Sequence, residues 1–157
     1  MDEILNLRLA GVDDAELLAE LRSNMRKERE TVSPTVGEAV FRQNNIDYFR
    51  KFIADGSYLG VIVEINGKVA ATGGICFHNH PPSYSAPKGK SACLLNMYTL
   101  PDFRGRGLAG KIVAKLVDEA RKAECSQVFL NASVMGKSVY EKFGFVDVNN
   151  EMVYNLN

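Results

Sequence analysis

Cysteine is scarce in this 157-residue chain, and its count is odd: Cys76, Cys93 and Cys125, with no C-x-x-C pair. That usage excludes a disulfide framework and points to a reducing compartment. Histidine is scarcer still. His78 and His80 form an H-x-H with no third ligand at sensible spacing, so no metal is expected. An excess of charge of either sign is also missing. Lys plus Arg and Asp plus Glu both number 19, so there is no global basic field for gripping DNA or RNA, and any anion site must be built locally. No apolar run approaches the length of a bilayer span, and the acidic start "MDEILNLRLA" lacks the basic region of a secretory signal. The expectation is a cytoplasmic protein with neither membrane nor nucleic-acid partners. No repeat, low-complexity tract or linker interrupts it, and its length suits a single domain over 1–157.

The element signals that are present alternate between the two periodicities. Residues 6–10 alternate as a first strand. Asp13 or Asp14 offers an N-cap to a helix in which Ala15, Leu18, Leu21 and Met25 recur at helical spacing. "RKERETVSP" is a charged connection. Thr35 with Glu38 resembles a capping box, with Ser33-Pro34 as an alternative start, for a second helix to about Ile53. Asn66-Gly67 between two β-rich runs is a hairpin signal, because both turn residues must take positive φ. "HNHPPSYSAPKGK" reads as a loop. The spacing then predicts a strand over 91–100, a helix over 105–125, a strand over 127–131, a short helix over 136–143, and closing strands over 145–148 and 151–156. This order, β-α-α-β-β-β-α-β-α-β-β, implies an α/β fold: a mixed central β-sheet with helices on both faces.

One stretch asks for chemistry: "LLNMYTLPDFRGRGLAGKIV". The helix after Arg104 carries Leu108, Ile112, Leu116 and Ala120 on one stripe, so its N-terminus opens beside a packed core. The first backbone N–H groups of a helix lack intrahelical partners, and the macrodipole there is positive. Gly105, Gly107, Ala109 and Gly110 are small enough to let an anion approach those amides. Arg104 and Arg106 add guanidinium donors suited to phosphate oxygens. The plainer reading is a tight turn with solvated arginines. A nicotinamide site would match G-x-G-x-x-G, but the strand ends at Pro101, well before the first glycine. Roughly twenty residues on, "FLNAS" supplies Asn131 and no ribose-binding carboxylate. A P-loop lacks its G-K-[ST].

"LPDFRGRGLAGKIV" resembles motif A of the GCN5-related N-acetyltransferases (GNAT), (Q/R)-x-x-G-x-(G/A), at Arg104, Gly107 and Ala109. "SVYEKFGFV" resembles that family's motif B, a tyrosine followed by a G-F pair. The resemblance covers nearly the whole chain and implies the GNAT fold, the acyl-CoA N-acyltransferase fold. It implies acetyl-CoA as co-substrate, bound where two parallel strands, here 94–100 and 127–131, splay apart. The pantetheine arm is expected to pair with backbone groups of Met97, Tyr98 and Thr99. The pyrophosphate is expected on the amides of Gly105, Arg106, Gly107, Leu108, Ala109 and Gly110. Asn131, Ser133 and Lys142 are further candidates for cofactor contact; the family often has asparagine where this chain has Ser133.

The implied reaction is direct attack of a primary amine, of a small molecule or a peptide, on the thioester. Tyr140 resembles the family's general acid, and a phenol with a pKa near ~10 holds its proton at neutral pH. A strand amide freed by a bulge near Met97 or Tyr98 is expected to stabilise the carbonyl oxygen. The general base stays open. Many relatives place a glutamate in the strand before motif A, where this chain has Leu95 and Asn96. Asn96 can orient substrate or water, Glu64 ends a hairpin strand and could reach the cleft floor, and either histidine could serve. Glu28 and Glu30 could attract a cationic amine. Two other readings remain open: a catalytically silent CoA-binding sensor, and an acyltransferase using a longer chain or an oxygen acceptor. The strand expected at 151–156 could pair between chains, so a homodimer is an open possibility.

Overall fold

The computed structural model describes residues 2–30, 36–148 and 150–156. Its sheet has five strands in the order β1-β2-β3-β4-β5: Leu5–Leu9, Tyr58–Ile65, Lys68–Asn79, Lys90–Thr99 and Val128–Phe129. The first three pairings are antiparallel, and β4 with β5 is parallel. Four helices accompany the sheet: α1 (Ala15–Arg29), α2 (Glu38–Ala54), α3 (Leu108–Lys122) and α4 (Lys137–Phe143).

Alternation along β2 explains the two layers. Val61, Val63 and Ile65 face α3 and join Ile75, Leu94, Ile112 and Leu116 in one core. Tyr58 and Ile62 face the other way, onto α1 and α2, with Leu18, Ile46 and Phe49. Phe49, Ile62 and Leu116 are completely shielded from solvent, each worth about 1.5–3 kcal/mol of burial. A third cluster joins Leu21 and Met25 of α1 to Tyr98 of β4, bringing the end of α1 over the end of β4. The hairpin forms where expected, with Asn66 and Gly67 at φ 51° and 76°.

Several expected boundaries move. The helix expected over 105–125 begins at Leu108, because Gly105 and Gly107 take left-handed φ of 76° and 73°, and it ends before Glu124 at φ 61°. Asp14 stands at the N-cap of α1, but its carboxylate is turned to the Gly11 amide and to Arg8. Thr35 lies outside the described residues, and Gly37 is the N-cap of α2. The loop expected from His78 starts later, because the β3–β4 ladder continues to Asn79 opposite Lys90. β5 is only two residues long. No strand forms among the described residues of 145–156; a two-residue β5 leaves almost no ladder on which further strands could build, and Val146, Met152 and Tyr154 stay exposed.

Candidate active site

The site begins where β4 loses its neighbour. β5 pairs with it only at Ala92 and Cys93; there β5 ends, and β4 runs on to Thr99 without a strand on that side. On its other side β4 stays joined to β3 as far as the Leu100 amide, which donates to the Ala70 carbonyl. Backbone groups alternate sides along a strand, so Met97 and Thr99 turn theirs to the free edge while Tyr98 turns its own to β3. Both free-edge carbonyls are capped by guanidinium donors. Arg29 of α1 reaches Met97 at 3.0 Å, and Arg104 Nε reaches Thr99 at 3.0 Å.

A bulge interrupts β4 at the same place. Thr72 faces Tyr98 and Gly74 faces Leu95, so Gly73 alone opposes Asn96 and Met97. Asn96 takes the left-handed conformation, φ 58°, and its side chain turns to the α1–α2 face. There its Nδ2 donates to the Tyr58 hydroxyl at 3.1 Å, and its Oδ1 accepts from Arg22. Gly73 is required by packing: a Cβ there would stand 2.4 Å from Met97 Sδ and 2.6 Å from Ile112 Cγ2. The bulge expected from the sequence near Met97 or Tyr98 is therefore centred one residue earlier, on Asn96 and Met97.

Two adjoining cavities, of about 450 and 510 Å³, run along this edge. The first lies over the turn before α3, lined by Arg104 to Gly110 with Lys142 and Phe143 of α4. The second continues to Met97, Tyr98, Ser133 and Tyr140, with Glu28 and Arg29 of α1 along its wall. They share Thr99, Arg104, Gly105, Ala109 and Val139. A Cβ added at Gly105, Gly107 or Gly110 would meet nothing within 4 Å, so these glycines open onto the cavity and not onto protein.

Neither arginine of the turn is solvated freely. Arg104 pairs with Glu28 at 2.8 Å and Arg106 with Glu3 at 2.8 Å. Glu28 also accepts from the Tyr98 hydroxyl at 2.7 Å, and these two donors, Tyr98 first, hold its carboxyl below the usual range. Burial, followed by this same contact, pushes the Tyr98 phenol up. Exposed ion pairs of this kind are worth about 0–1 kcal/mol, so they leave both guanidinium groups able to exchange partners.

Tyr140 is half-buried on α4, edge-on to Phe145 at 5.9 Å between ring centroids. Burial raises its phenol above the ordinary value, with the nearby positive charge of Arg29 acting against it. Ser133 Oγ accepts from the Gly136 amide at 3.1 Å and so organises the turn into α4.

Other candidates stand elsewhere. Glu64 is held by Arg8 at 3.5 Å and by Asn6 at 3.2 Å across the β1–β2 ladder, and it lines neither cavity. Asn131 is exposed and lines neither. His78 packs beside Phe129 at 5.5 Å, and His80 contacts the Pro81 carbonyl. Among the described residues, Glu28 is the one carboxylate lining either cavity, and no cluster of three or more His, Cys, Asp or Glu forms a metal site. Arg22 and Arg29 escaped the sequence reading, although the spacing of Ala15, Leu18, Arg22, Met25 and Arg29 puts both on the inner stripe of α1.

This arrangement has close counterparts. The chain superimposes on a predicted acetyltransferase of Clostridium acetobutylicum solved with acetyl-CoA: 31% identity, TM-score 0.89, and 98% and 97% of the two chains covered. A GCN5-related N-acetyltransferase of Ralstonia eutropha JMP134 matches at 25% identity and TM-score 0.85, covering 98% and 100%. The glucosamine 6-phosphate N-acetyltransferase of Arabidopsis thaliana is 28% identical over 122 residues, which is 78% of this chain and 79% of that one. No helix among the described residues is long and apolar enough to cross a membrane. Residues 18–145, which hold most of α1, the β4 bulge, the glycine-arginine turn and Tyr140, match the acetyltransferase (GNAT) family, and the chain belongs to it as an acetyl-CoA-dependent N-acetyltransferase.

Proposed function

We propose that acetyl-CoA lies along the free edge of β4 and that a primary amine takes its acetyl group directly. The amides of 105–110 would hold the diphosphate, with Lys142 beside them. The outward groups of Met97 and Thr99 would bond the pantetheine amides as a neighbouring strand would. Acetyl-CoA supplies the thioester. The residues fit it: the free edge already carries two guanidinium caps where a chain of amides would bond, and the glycines leave open space before the helix terminus.

The observation that carries this reading is the meeting of Tyr140 and the β4 bulge on one cavity. Transfer forms a C–N bond and breaks a C–S bond. The departing sulfur needs a proton, and Tyr140, kept neutral by burial, holds one at its hydroxyl. The oxygen that gains charge needs a donor, and the irregular backbone at Asn96 and Met97 is the place where β4 can supply one. The nitrogen must lose a proton. Glu28 is already engaged by Tyr98 and Arg104, so that proton passes to solvent water and not to a tuned side chain.

An amine panel with acetyl-CoA, followed by thiol release, tests the proposal beside Tyr140→Phe. The variant should bind acetyl-CoA and lose about 100-fold in kcat. Full activity in that variant would remove Tyr140 from the chemistry, and silence of every amine with acetyl-CoA bound would remove the amine.

A further inference from the structure

Arg22 is the odd member of α1. The inner stripe of that helix reads Ala15, Leu18, Arg22, Met25, Arg29, and a guanidinium on a core-facing stripe is costly unless something compensates it. Ala15, Leu18 and Met25 are almost completely buried, at 1–3% exposure, and Arg22 is half-buried among them. Among the described residues no carboxylate lies within salt-bridge distance of Arg22. Of the acids on α1 and at its C-cap, Glu16 faces Arg42 and Arg50, Glu28 holds Arg104, Glu30 pairs with Arg26, and Glu20 is exposed. The hydrogen-bond partner of Arg22 is a neutral amide oxygen, Asn96 Oδ1, and its surroundings are the Tyr48 and Tyr58 hydroxyls, which are neutral too. Burial, and next the charge of Arg26, disfavour the guanidinium's positive form. The fold therefore holds a largely desolvated cation beside the bulge with no carboxylate in contact with it among the described residues; the more distant charge of Glu30, already paired with Arg26, is the least of the influences on it.

We propose that Arg22 receives an acidic group of the acceptor, so that the enzyme acetylates amines that carry a carboxylate or a phosphate. This rests on the amine-acetyltransferase reading above and names its substrate class. The placement suits the task. Asn96, which Arg22 grips, lies next to Met97 in β4, and its side chain is on the α1–α2 face, away from α3. The acceptor then approaches from that face while the donor occupies the free edge. Its acid and its amine are separated by a short carbon chain. A guanidinium matches either a carboxylate or a phosphate with two parallel donors.

The test compares three short amines of similar length: β-alanine, 2-aminoethyl phosphate and 3-aminopropanol. The acidic amines should exceed the alcohol in kcat/KM by about 10- to 100-fold, the range for a charge-assisted hydrogen bond. The stronger of the two identifies the acid. Arg22→Gln should bring that ratio near one, and Arg22→Lys should retain part of it. Calorimetric titration of the same amines, with and without CoA, reads the preference even where turnover is undetectable. Absence of a preference in the unaltered enzyme overturns the inference, whatever the variants do. An Arg22→Gln protein that slows all three amines alike, keeping the ratio, also overturns it, because that is the mark of a residue that only supports Asn96. Failure of acetyl-CoA to bind would sink the cofactor reading instead, and titration of the protein alone would still decide the role of Arg22.

Discussion

Gly110 separates a glycine kept for a ligand from one kept for the fold. It is the third residue of α3, its φ is ordinary, and a Cβ there meets nothing within 4 Å. On fold grounds alone, Gly110→Ala should help. Alanine gains about 0.5–1 kcal/mol over glycine inside a helix, which in a chain of this size raises Tm by about 1–4 °C. The Cβ of a helical residue tilts toward the helix N-terminus, so the new methyl group points at the space where the diphosphate would meet the amides. Losing one amide bond to a charged oxygen is worth about 1.5–3 kcal/mol, a weakening of acetyl-CoA binding by about 10- to 100-fold. Thermal melts of the free protein and calorimetric titration with acetyl-CoA measure the two effects separately. A variant that is more stable and binds acetyl-CoA as tightly as before would refute the anion-site reasoning, because the glycine would then have no ligand to answer to.

Other expectations follow from the same geometry. With no tuned side-chain base in the cleft, kcat/KM should climb with pH toward the pKa of the acceptor amine, without a plateau near pH 7. Burial raises the Tyr140 phenol, so its proton-donating form persists through pH 10 and the alkaline fall in rate comes only above that value; a pH–rate profile checks both limbs. Gly74→Ala would put a Cβ 2.0 Å from the hydroxyl of the buried Tyr58 and cost about 1–3 kcal/mol in chemical denaturation. Asp14→Asn breaks a two-point contact with Arg8, at 2.8 and 2.9 Å, and should cost about 1–3 kcal/mol at pH 7. Hydrogen bonding to Arg8 depresses the Asp14 carboxyl, so its contribution is full above the ordinary Asp pKa near ~3.9 and vanishes as pH falls through the depressed value. Melts at pH 7 and pH 2 should therefore show the variant's deficit shrinking in acid.

The legible parts of this protein are those whose cause is local. Asn66-Gly67 dictates its own turn, the stripe from Leu108 to Ala120 dictates α3, and the glycines before it needed no distant partner to be read as an anion-ready terminus. Tyr140 is singled out through its neighbours in the chain, and it lines the same cavity as Met97. What escaped depends on residues far apart in sequence. The bulge at Asn96 is a register slip against Gly73, and the paired glycines at 73 and 74 register only once Met97, Ile112 and Tyr58 are seen pressing on them. Arg104 and Arg106 read as free phosphate donors, yet Glu28 and Glu3 hold them from 76 and 103 residues away. Glu64 read as a cleft residue because the β1 partners that claim it, Asn6 and Arg8, are more than fifty residues upstream. The closing strands failed for a related reason: alternation within 145–156 signals a preference, but strand formation needs a ladder.

The capped edge of β4 carries a consequence for solubility. A strand whose outward carbonyls stand bare in an open wedge is a template for any stray extended segment, including one from another copy of the same chain. Arg29 and Arg104 occupy those carbonyls with side chains that cannot propagate a ladder. The wedge can thus stay open for its ligand without inviting self-association, and the guard is made of side chains light enough to swing aside.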